Sequence, residues 1–307
     1  MTRPPDDALR LVEERAAARE RRDWNAADSL RDELRTLGWE PIDSAGGTDL
    51  RPVLPAGGDP GSARPEDLPS LLGEAATLAA SLVTIVEDHP ADLQRLAEAL
   101  RAHPPDATWE LVVVANAPGD EPHHQELLAD LQAPVLRTTA RLGWADAANL
   151  GLRRTRGAVL ILLDGSVEPR GEFLAPLLAA FDDPGVGLAG PWGMRSDDGR
   201  HFDDAGPGPV DAVQAYCMAV RREALAAVGG FDHRFRFYRN ADLDLSFAVR
   251  DRGWTAVAVG DLPLERHEPR AWSELPDDER ERLSKRNFYR FLDHWGRRPD
   301  LLTAGRR

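Results

Sequence analysis

The segment that decides the fold is Ala158-Val-Leu-Ile-Leu-Leu163, followed at once by Asp164-Gly-Ser-Val-Glu168-Pro169. Six consecutive apolar residues predict a strand that is buried on both faces, as in a parallel sheet covered by helices. An aspartate directly after such a strand lies where parallel sheets bind their ligands. Alternate residues of an extended chain point the same way, so Asp164, Ser166 and Glu168 could share one hard cation. A polar turn that ends the strand explains these residues equally well.

Apolar runs and helical patterns alternate around this strand. The other predicted strands are 82–86, 110–115 and 135–136, and the predicted helices are 91–101, 125–131 and 145–154. This order predicts an α/β domain with a mostly parallel sheet and flanking helices. The stretch 173–264 is less regular, and a helix over 276–295 closes the chain.

The amino-terminal residues carry a different, helical pattern. One helix is predicted over 7–22 and a second over 26–37, which Gly38 ends, and an extended tail runs to about Pro52. The next stretch is rich in Pro and Gly and predicts a linker, because it offers no apolar residues for a core. The predicted units are a helical hairpin at 1–52, a linker at 53–76, the α/β domain at 77–270 and a helical extension at 271–307.

Composition limits the classes of partner. The 307 residues include 38 Lys and Arg against 52 Asp and Glu, a net charge of −14, and 42% are hydrophobic. Such a chain repels phosphate backbones over most of its surface, so nucleic acid is not expected as a partner. The only cysteine, Cys217, excludes an internal disulfide and a cysteine-based zinc cluster. No apolar run is long enough to span a bilayer and the start does not resemble a signal peptide, so we expect a cytoplasmic protein.

An ordered series of short motifs surrounds the aspartate strand. Before it lie Val114-Ala-Asn116, Arg141-Leu-Gly143-Trp-Ala-Asp-Ala-Ala-Asn149 and Arg156-Gly157. After it come Val228-Gly-Gly-Phe-Asp232, Phe237-Tyr238-Arg-Asn-Ala-Asp242-Leu-Asp244, Gly253-Trp254, His267 and Lys285-Arg286-Asn287. In this order and spacing the motifs resemble family 2 glycosyltransferases of the nucleotide-diphospho-sugar transferase (GT-A) fold, over about two thirds of the chain.

The resemblance implies roles for individual residues. Asp164 matches the first aspartate of the family's Asp-x-Asp motif, which serves the metal and the nucleotide, and Ser166 stands at the second position. Asp242 matches the candidate general base that takes the proton of the acceptor hydroxyl. His267 matches a histidine that helps to hold the metal or the diphosphate. The remaining donor-binding positions are Asn116, Asn149 and Arg141.

These roles imply a reaction. A sugar would move, with inversion, from a nucleotide-diphosphate sugar to an acceptor, and a Mg²⁺ or Mn²⁺ ion would support departure of the diphosphate. The acceptor could be a saccharide, a lipid-linked group or a protein, and the chain could form a homo-oligomer.

Several positions depart from the family pattern. Ala115, Ser166 and Ala241 replace acidic residues, Arg141 replaces an asparagine, and Glu87-Asp88-His89-Pro90 replaces the usual Pro-Thr-Tyr-Asn. These losses favour an alternative hypothesis, in which a catalytically degenerate transferase fold acts as a binding or scaffold module.

The amino-terminal block resembles a second family. Arg15-Ala-Ala-Ala-Arg19 and Asp23-Trp-Asn-Ala-Ala27-Asp28-Ser-Leu-Arg-Asp-Glu-Leu34 are similar to the carboxy-terminal helical segment of cysteinyl-tRNA synthetases, which belongs to their tRNA-contacting end. Residues 1–51 hold nine arginines and twelve acidic residues, a poor electrostatic match to tRNA. Each of the two predicted helices has an apolar stripe, and a hairpin of this size offers too little surface to bury both stripes by itself. We therefore expect residues 7–50 to pack on the transferase domain or on a second copy, with RNA binding as the alternative.

Two further patterns do not point to sites. Gly185-Val-Gly187-Leu-Ala-Gly190 matches GxGxxG, but Pro191 follows it in place of a helix, so no dinucleotide site is expected. His123-His124 has no partner cluster and is interpreted as part of an exposed loop.

Overall fold

The strands and helices are taken from a computed structural model that describes residues 5–21, 23, 26–27, 30, 33–34, 39–44, 47–52, 68–116, 133–138, 140–268 and 273–304. The strands are β1 (Trp39–Ser44), β2 (Gly47–Pro52), β3 (Leu78–Val86), β4 (Trp109–Ala115), β5 (Val135–Arg137), β6 (Gly157–Leu163), β7 (Val167–Pro169), β8 (Val186–Gly190), β9 (Gly193–Arg195), β10 (Asp203–Ala205), β11 (Gly208–Val210), β12 (Ala212–Val213), β13 (Cys217–Arg221), β14 (Thr255–Ala258) and β15 (Leu264–Arg266). The helices are α1 (Asp6–Glu20), α2 (Pro90–Ala102), α3 (Trp144–Leu152), α4 (Leu174–Ala179), α5 (Arg222–Val228), α6 (Ala241–Asp251) and α7 (Asp277–Trp295), with 3₁₀ turns at Ala180–Asp182 and Pro299–Leu301.

The main sheet has eight strands in the order β11-β14-β8-β13-β6-β3-β4-β5. Its half formed by β6, β3, β4 and β5 is parallel throughout, and β14 also runs parallel to β8. β13 is antiparallel to both of its neighbours, and β11 is antiparallel to β14. The predicted α/β class is confirmed, and the parallel strands need the crossover helices α2 and α3 between them.

Both faces of this sheet are buried. In β6, Leu160 and Leu162 belong to the apolar cluster that α3 and α6 complete, whereas Ile161 and Leu163 belong to the cluster on the opposite face, beside α2 and α4. Successive side chains of a strand point to opposite faces, so a strand between two layers must be apolar at every position. This explains the continuous apolar run in the sequence.

A buried polar network joins Ser81 of β3, Glu110 of β4 and Arg156, which precedes β6. The carboxylate of Glu110 is 1% exposed; it accepts hydrogen bonds from the Ser81 hydroxyl at 2.7 Å and from the Arg156 backbone N–H at 2.6 Å. The Arg156 guanidinium completes an ion pair with Glu110 at 3.0 Å. At Gly157 a Cβ atom would lie 2.4 Å from the backbone of β3, so glycine permits this close approach.

The amino-terminal segment has a small apolar cluster of its own. The described residues of the predicted second helix, Ala26, Ala27, Leu30, Glu33 and Leu34, are helical. The cluster consists of Ala8, Leu11 and Leu34, with Val12, Leu30 and Leu50 packed against it. The predicted extended tail differs in detail: β1 and β2 pair as an antiparallel hairpin, which satisfies backbone groups that a single extended strand would leave unpaired.

Part of the predicted linker is attached to the main domain, through α5 and the turn after α3. Leu71 is buried, and its carbonyl accepts a hydrogen bond from Arg222 at 2.9 Å, while Arg154 donates to the Pro69 carbonyl at 2.8 Å. The remainder, 53–67, lies outside the described residues, as do the predicted helix 125–131 and His123-His124. The GxGxxG segment contributes β8 of the main sheet, and β9 follows it in place of a helix.

None of the helices in the described part of the chain combines the length and the apolar character needed to cross a bilayer.

Candidate active site

A cavity of about 490 Å³ opens at the carboxyl ends of β3 and β6. Residues that directly follow these two strands line it, namely Glu87 and Asp88 after β3 and Asp164, Gly165 and Ser166 after β6. β3 and β6 are parallel neighbours, so the residues after each strand meet at the same edge of the sheet. The cavity therefore lies at the edge of the sheet where the aspartate strand predicts a ligand site.

Asp164 and Ser166 form one compact unit in this cavity. The Ser166 hydroxyl donates to Oδ1 of Asp164 at 2.5 Å, and the Ser166 backbone N–H donates to the same oxygen at 2.8 Å. Burial raises the pKa of Asp164, and the two hydrogen bonds from Ser166 oppose that effect by stabilising the carboxylate. The arrangement holds one carboxylate in a fixed orientation.

Asp242 lines the same cavity from the first turn of α6. Its carboxylate accepts hydrogen bonds from the backbone N–H groups of Leu243 at 3.0 Å and Ala215 at 3.3 Å. Burial raises the pKa of Asp242, while these N–H groups counteract the rise. A carboxylate with a raised pKa is the better proton acceptor, and this one faces the cavity.

The amides of Asn116 and Asn149 are engaged within the protein. Asn116 is completely buried, donates to Glu87 Oε1 at 2.7 Å and accepts from the Leu142 N–H at 2.8 Å. Asn149 donates to the Phe231 carbonyl at 2.7 Å and accepts from the Phe231 N–H at 2.8 Å. Neither residue lines the cavity. They fix the loops around it.

The contact between Asn149 and Phe231 requires a glycine at position 230. A Cβ atom at Gly230 would lie 2.3 Å from Asn149 Oδ1, and Gly230 has a φ of +99°, where side chains are strained. Gly230 therefore permits the close packing of this loop against α3.

Arg141 stands at the rim of the cavity. Its guanidinium forms an ion pair with Asp88, which itself lines the cavity. This ion pair links Arg141 to the lining of the cavity.

His267 lies beside the aspartate loop but pairs with a different carboxylate. Its backbone N–H donates to the Ser166 carbonyl at 2.8 Å, whereas its ring Nε2 lies 2.7 Å from Glu168 Oε2. Glu168, Glu265 and His267 bring ligand atoms within 4.8 Å of one another, a spacing that could hold a metal ion. Arg170 bridges both carboxylates, at 2.6 and 2.7 Å, so a cation there would compete with a guanidinium.

The structure adds lining residues that the sequence motifs do not mark. The Arg266 guanidinium lies over the ring of Tyr216, 4.8 Å from its centroid, and its Nη1 donates to Gln214 at 3.2 Å. Glu87 could have been found, because it directly follows a predicted strand, as Asp164 does. Arg266 and Tyr216 carry no such signal, since only the pairing of β13 and β15 with distant strands brings them together.

The lining described by the structure is strongly acidic. Its carboxylates outnumber its arginines by six to three; they are Glu87, Asp88, Asp92, Asp164, Asp204 and Asp242, against Arg200, Arg239 and Arg266. Burial is also the main cause that raises the pKa of Glu87. Such a cavity repels an unaccompanied diphosphate and attracts a divalent cation.

Comparison with known proteins bears out both resemblances. Residues 81–241 match the model of glycosyl transferase family 2, and residues 3–39 match that of the cysteinyl-tRNA ligase anticodon binding domain. The cysteine–tRNA ligase of Methanosarcina acetivorans is 45% identical over 47 residues, which cover 15% of this chain and 10% of the ligase. An uncharacterized protein of Sinorhizobium fredii, y4gI, is 25% identical over 254 residues, which cover 71% of this chain and 27% of that protein. The chain thus spans only a small part of each curated relative.

A solved structure shows the same fold. The crystal structure of GalNAc-T7 with UDP, GalNAc and Mn²⁺ superposes with a TM-score of 0.60 at 16% identity, over 73% of this chain and 49% of that one. The main domain therefore has the GT-A fold. Because the family model spans more than half of the sequence, from β3 to the start of α6, the chain belongs to glycosyl transferase family 2.

Proposed function

We propose that this protein transfers a sugar from a nucleotide-diphosphate donor to an acceptor hydroxyl, with Asp242 as general base and a divalent cation at Asp164. The observation that carries the proposal is that Asp164 and Asp242, from distant parts of the chain, line one cavity. GalNAc-T7, which shares the fold, was solved with a nucleoside diphosphate, a sugar and Mn²⁺. That combination supports the same kinds of ligand here.

The residues of the cavity fit a divalent cation. The Asp164 carboxylate and the Ser166 hydroxyl are hard oxygen donors, and Asp92 lies close enough to Asp164 to act on its pKa. The excess of carboxylates also leaves negative charge for the cation to offset. When bound, the ion would neutralise the charge that develops on the departing diphosphate.

The side chain of Asp242 supplies the acid–base step. As the acceptor oxygen forms its bond to the anomeric carbon, the hydroxyl proton passes to the Asp242 carboxylate. The bond between that carbon and the diphosphate oxygen breaks, and the electron pair leaves with the diphosphate. Attack from the face opposite the leaving group inverts the anomeric centre.

A binding module without catalysis is the second candidate function. Ala115 and Ala241 leave two acidic positions of the family pattern empty, and the amides of Asn116 and Asn149 are bonded within the protein. These features would suit a fold that retains a ligand without converting it.

The two functions separate in a binding and turnover experiment. Purified protein is incubated with UDP-, GDP- and dTDP-sugars and Mn²⁺, while calorimetry follows binding of Mn²⁺ with each nucleoside diphosphate. The enzyme predicts metal-dependent binding and either transfer or slow donor hydrolysis. Binding without any turnover supports the module, and the absence of both contradicts the proposal.

A further inference from the structure

The ribbon formed by β7 and β15 presents different side chains on its two faces. The two strands pair antiparallel, with Glu265 opposite Glu168 and Arg266 opposite Val167. Because successive side chains of an extended chain point to opposite faces, the neighbouring residues Arg266 and His267 also face apart. The His267 ring lies with Glu168 and Glu265, whereas Arg266 lines the cavity. The ribbon therefore turns Arg266, and not His267, towards the cavity.

Two rings and an amide hold the Arg266 guanidinium in place. The guanidinium lies over the rings of Tyr216 and Trp192, at 4.8 and 5.3 Å from their centroids, and these two rings meet edge to face. Its Nη1 donates to Oε1 of Gln214 at 3.2 Å. The amide of Gln214 is itself oriented, because its Nε2 donates to Asp204 at 2.6 Å. Contacts of this kind orient a guanidinium and leave its charge in place.

The charge of Arg266 is available to a ligand. Its side chain is exposed, and no carboxylate in the described part of the chain forms an ion pair with it. This is notable because six carboxylates line the same cavity. A positive charge without a carboxylate partner, in a lining that is otherwise acidic, is suited to an anionic group of the ligand.

Arg266 also lies against the segment that connects the two aspartates of the site. In this segment the N–H of Ala215 donates to Asp242 at 3.3 Å, and the carbonyl of Tyr216 accepts from the N–H of Asp164 at 2.9 Å. The charges of Arg266, Asp164 and Asp242 all act on the pKa of the Tyr216 hydroxyl. In the proposed reaction the acceptor oxygen attacks from the side of Asp242 and the diphosphate leaves towards a cation at Asp164. Arg266 therefore borders the space in which the bond to the diphosphate breaks.

We propose that the Arg266 guanidinium binds the diphosphate of the donor and stabilises the negative charge that develops on it as it leaves. This inference rests on the proposed function, in which the diphosphate is the anionic group of the ligand. The planar guanidinium offers two parallel N–H donors to phosphate oxygens. When the bond between the anomeric carbon and the diphosphate oxygen breaks, its electron pair stays on that oxygen, and the arginine neither gains nor loses a proton. A fixed positive charge beside that oxygen increases the rate, because it acts most strongly in the transition state.

The test compares two neighbouring residues in the full-length protein. Calorimetry measures the binding of UDP, GDP, dTDP and pyrophosphate, in the presence of Mn²⁺, to the unaltered protein, to Arg266→Gln and to His267→Gln. Arg266→Gln should weaken binding of the diphosphates at least about tenfold, because it removes charge-assisted hydrogen bonds to phosphate. His267→Gln should change the affinity by less than about twofold, since its ring contacts Glu168 on the other face of the ribbon.

Two further variants show whether the contact itself is responsible. Arg266→Lys keeps the positive charge but lacks the paired donors, so its affinity should lie between those of Arg266→Gln and the unaltered protein. Arg298→Gln removes a positive charge that is paired with Asp251 and Asp300, and it should leave binding unchanged. Because Arg266 is exposed, both variants at this position should melt within about 3 °C of the unaltered protein, which shows that they fold.

The results that overturn the inference are specific. Diphosphate binding that Arg266→Gln retains overturns it, as does an equal loss of binding in Arg298→Gln, which would show an effect of net charge alone. If a donor is turned over, Arg266→Gln should also lower kcat by about 10²-fold at saturating donor, since the charge develops in the transition state. An unchanged kcat would contradict the catalytic part of the role.

The same measurements separate this inference from the proposed function. Binding of pyrophosphate that depends on Arg266, without binding or turnover of any nucleotide, supports the phosphate contact and contradicts the transferase. Turnover and diphosphate binding that Arg266→Gln leaves unchanged contradict only the role of Arg266. Absence of binding of every probe contradicts both.

Discussion

The hydroxyl of Ser166 donates to the carboxylate of Asp164 across 2.5 Å, inside the cavity at the end of β6. The resemblance to family 2 places a second aspartate at position 166. In this chain the residue there is Ser166, which donates a hydrogen bond to Asp164. This loop therefore offers a single carboxylate, whose pKa is raised by burial while the two hydrogen bonds from Ser166 oppose the rise. A cation would be bound more weakly there than by two carboxylates.

Replacing Ser166 by aspartate tests this relationship. Ser166 is 3% exposed, so Ser166→Asp would place a second carboxylate in a buried site beside Asp164 and should lower the melting temperature of the metal-free protein. Mn²⁺ should restore it and bind about tenfold more tightly than to the unaltered protein. Thermal melts with and without Mn²⁺ measure both effects. Ser166→Asn is the uncharged control, and an equal response of both variants to Mn²⁺ would count against a metal at this loop.

Replacing Asp242 by asparagine tests the proposed base. Asp242→Asn should reduce transfer by about 10²- to 10⁴-fold and leave donor binding intact, because only the proton acceptor is lost. Steady-state rates and calorimetry with a nucleoside diphosphate provide the two readings. The matched control is Asp244→Asn, two residues along α6, whose carboxylate accepts from Trp295 Nε1 at 2.8 Å. Asp244→Asn should lower the free energy of unfolding more than it lowers the rate of transfer. If Asp242→Asn weakens donor binding as much as it slows transfer, Asp242 is not the base.

The raised carboxyl pKa values predict how stability depends on pH. Burial is the largest cause that raises the pKa of Glu87, Asp164, Asp242 and Asp244. A carboxyl with a raised pKa binds its proton more tightly in the folded state, so the free energy of unfolding should increase as the pH falls from about 7 to about 5.

Denaturant titrations across this range measure the trend. Carboxylates with a lowered pKa, such as Asp232, reduce stability only at pH values below about 4, so they do not obscure it. Combining Glu87→Gln with Asp242→Asn should flatten the profile. Stability that decreases steadily from neutral pH downwards would contradict the prediction.

The buried network of Glu110 predicts a stability effect remote from the cavity. Glu110→Gln should lower the free energy of unfolding by about 1–3 kcal/mol, since it breaks the ion pair with Arg156 in a buried site. Chemical denaturation gives the value. Glu279→Gln, which removes an exposed pair with Arg282, serves as the control and should leave the midpoint unchanged. Equal effects of the two substitutions would show that burial does not strengthen the Glu110 contacts.

Deleting residues 1–52 tests the amino-terminal segment. Its own cluster is small, so we expect the deletion to lower the melting temperature or change the oligomeric state, and to leave donor binding intact. Light scattering and thermal melts follow these changes. Saturable low-micromolar binding of total tRNA by the full chain, lost on deletion, would instead assign this segment to RNA.

The sequence by itself determined the parallel half of the sheet, the aspartate at the end of its central strand and both family resemblances. The strand over 158–163 could be predicted because its length and continuous apolar character are local properties that follow from burial on two faces. Asp164 could be placed at the site because a residue directly after a parallel strand lies at the ligand-binding edge. Asp242 was identified through its motif and reaches the same cavity.

Only the tertiary structure decided which polar side chains face that cavity. Asn116 and Asn149 stand in the predicted motifs, yet their amides bind backbone groups 26 and 82 residues away. Arg266 reaches the cavity because it lies over Tyr216, which precedes a different strand. A local pattern specifies the type of element and the side chains that it offers. Hydrogen bonds and ring contacts between residues far apart in the chain depend on how the elements pack, and no local pattern contains that information.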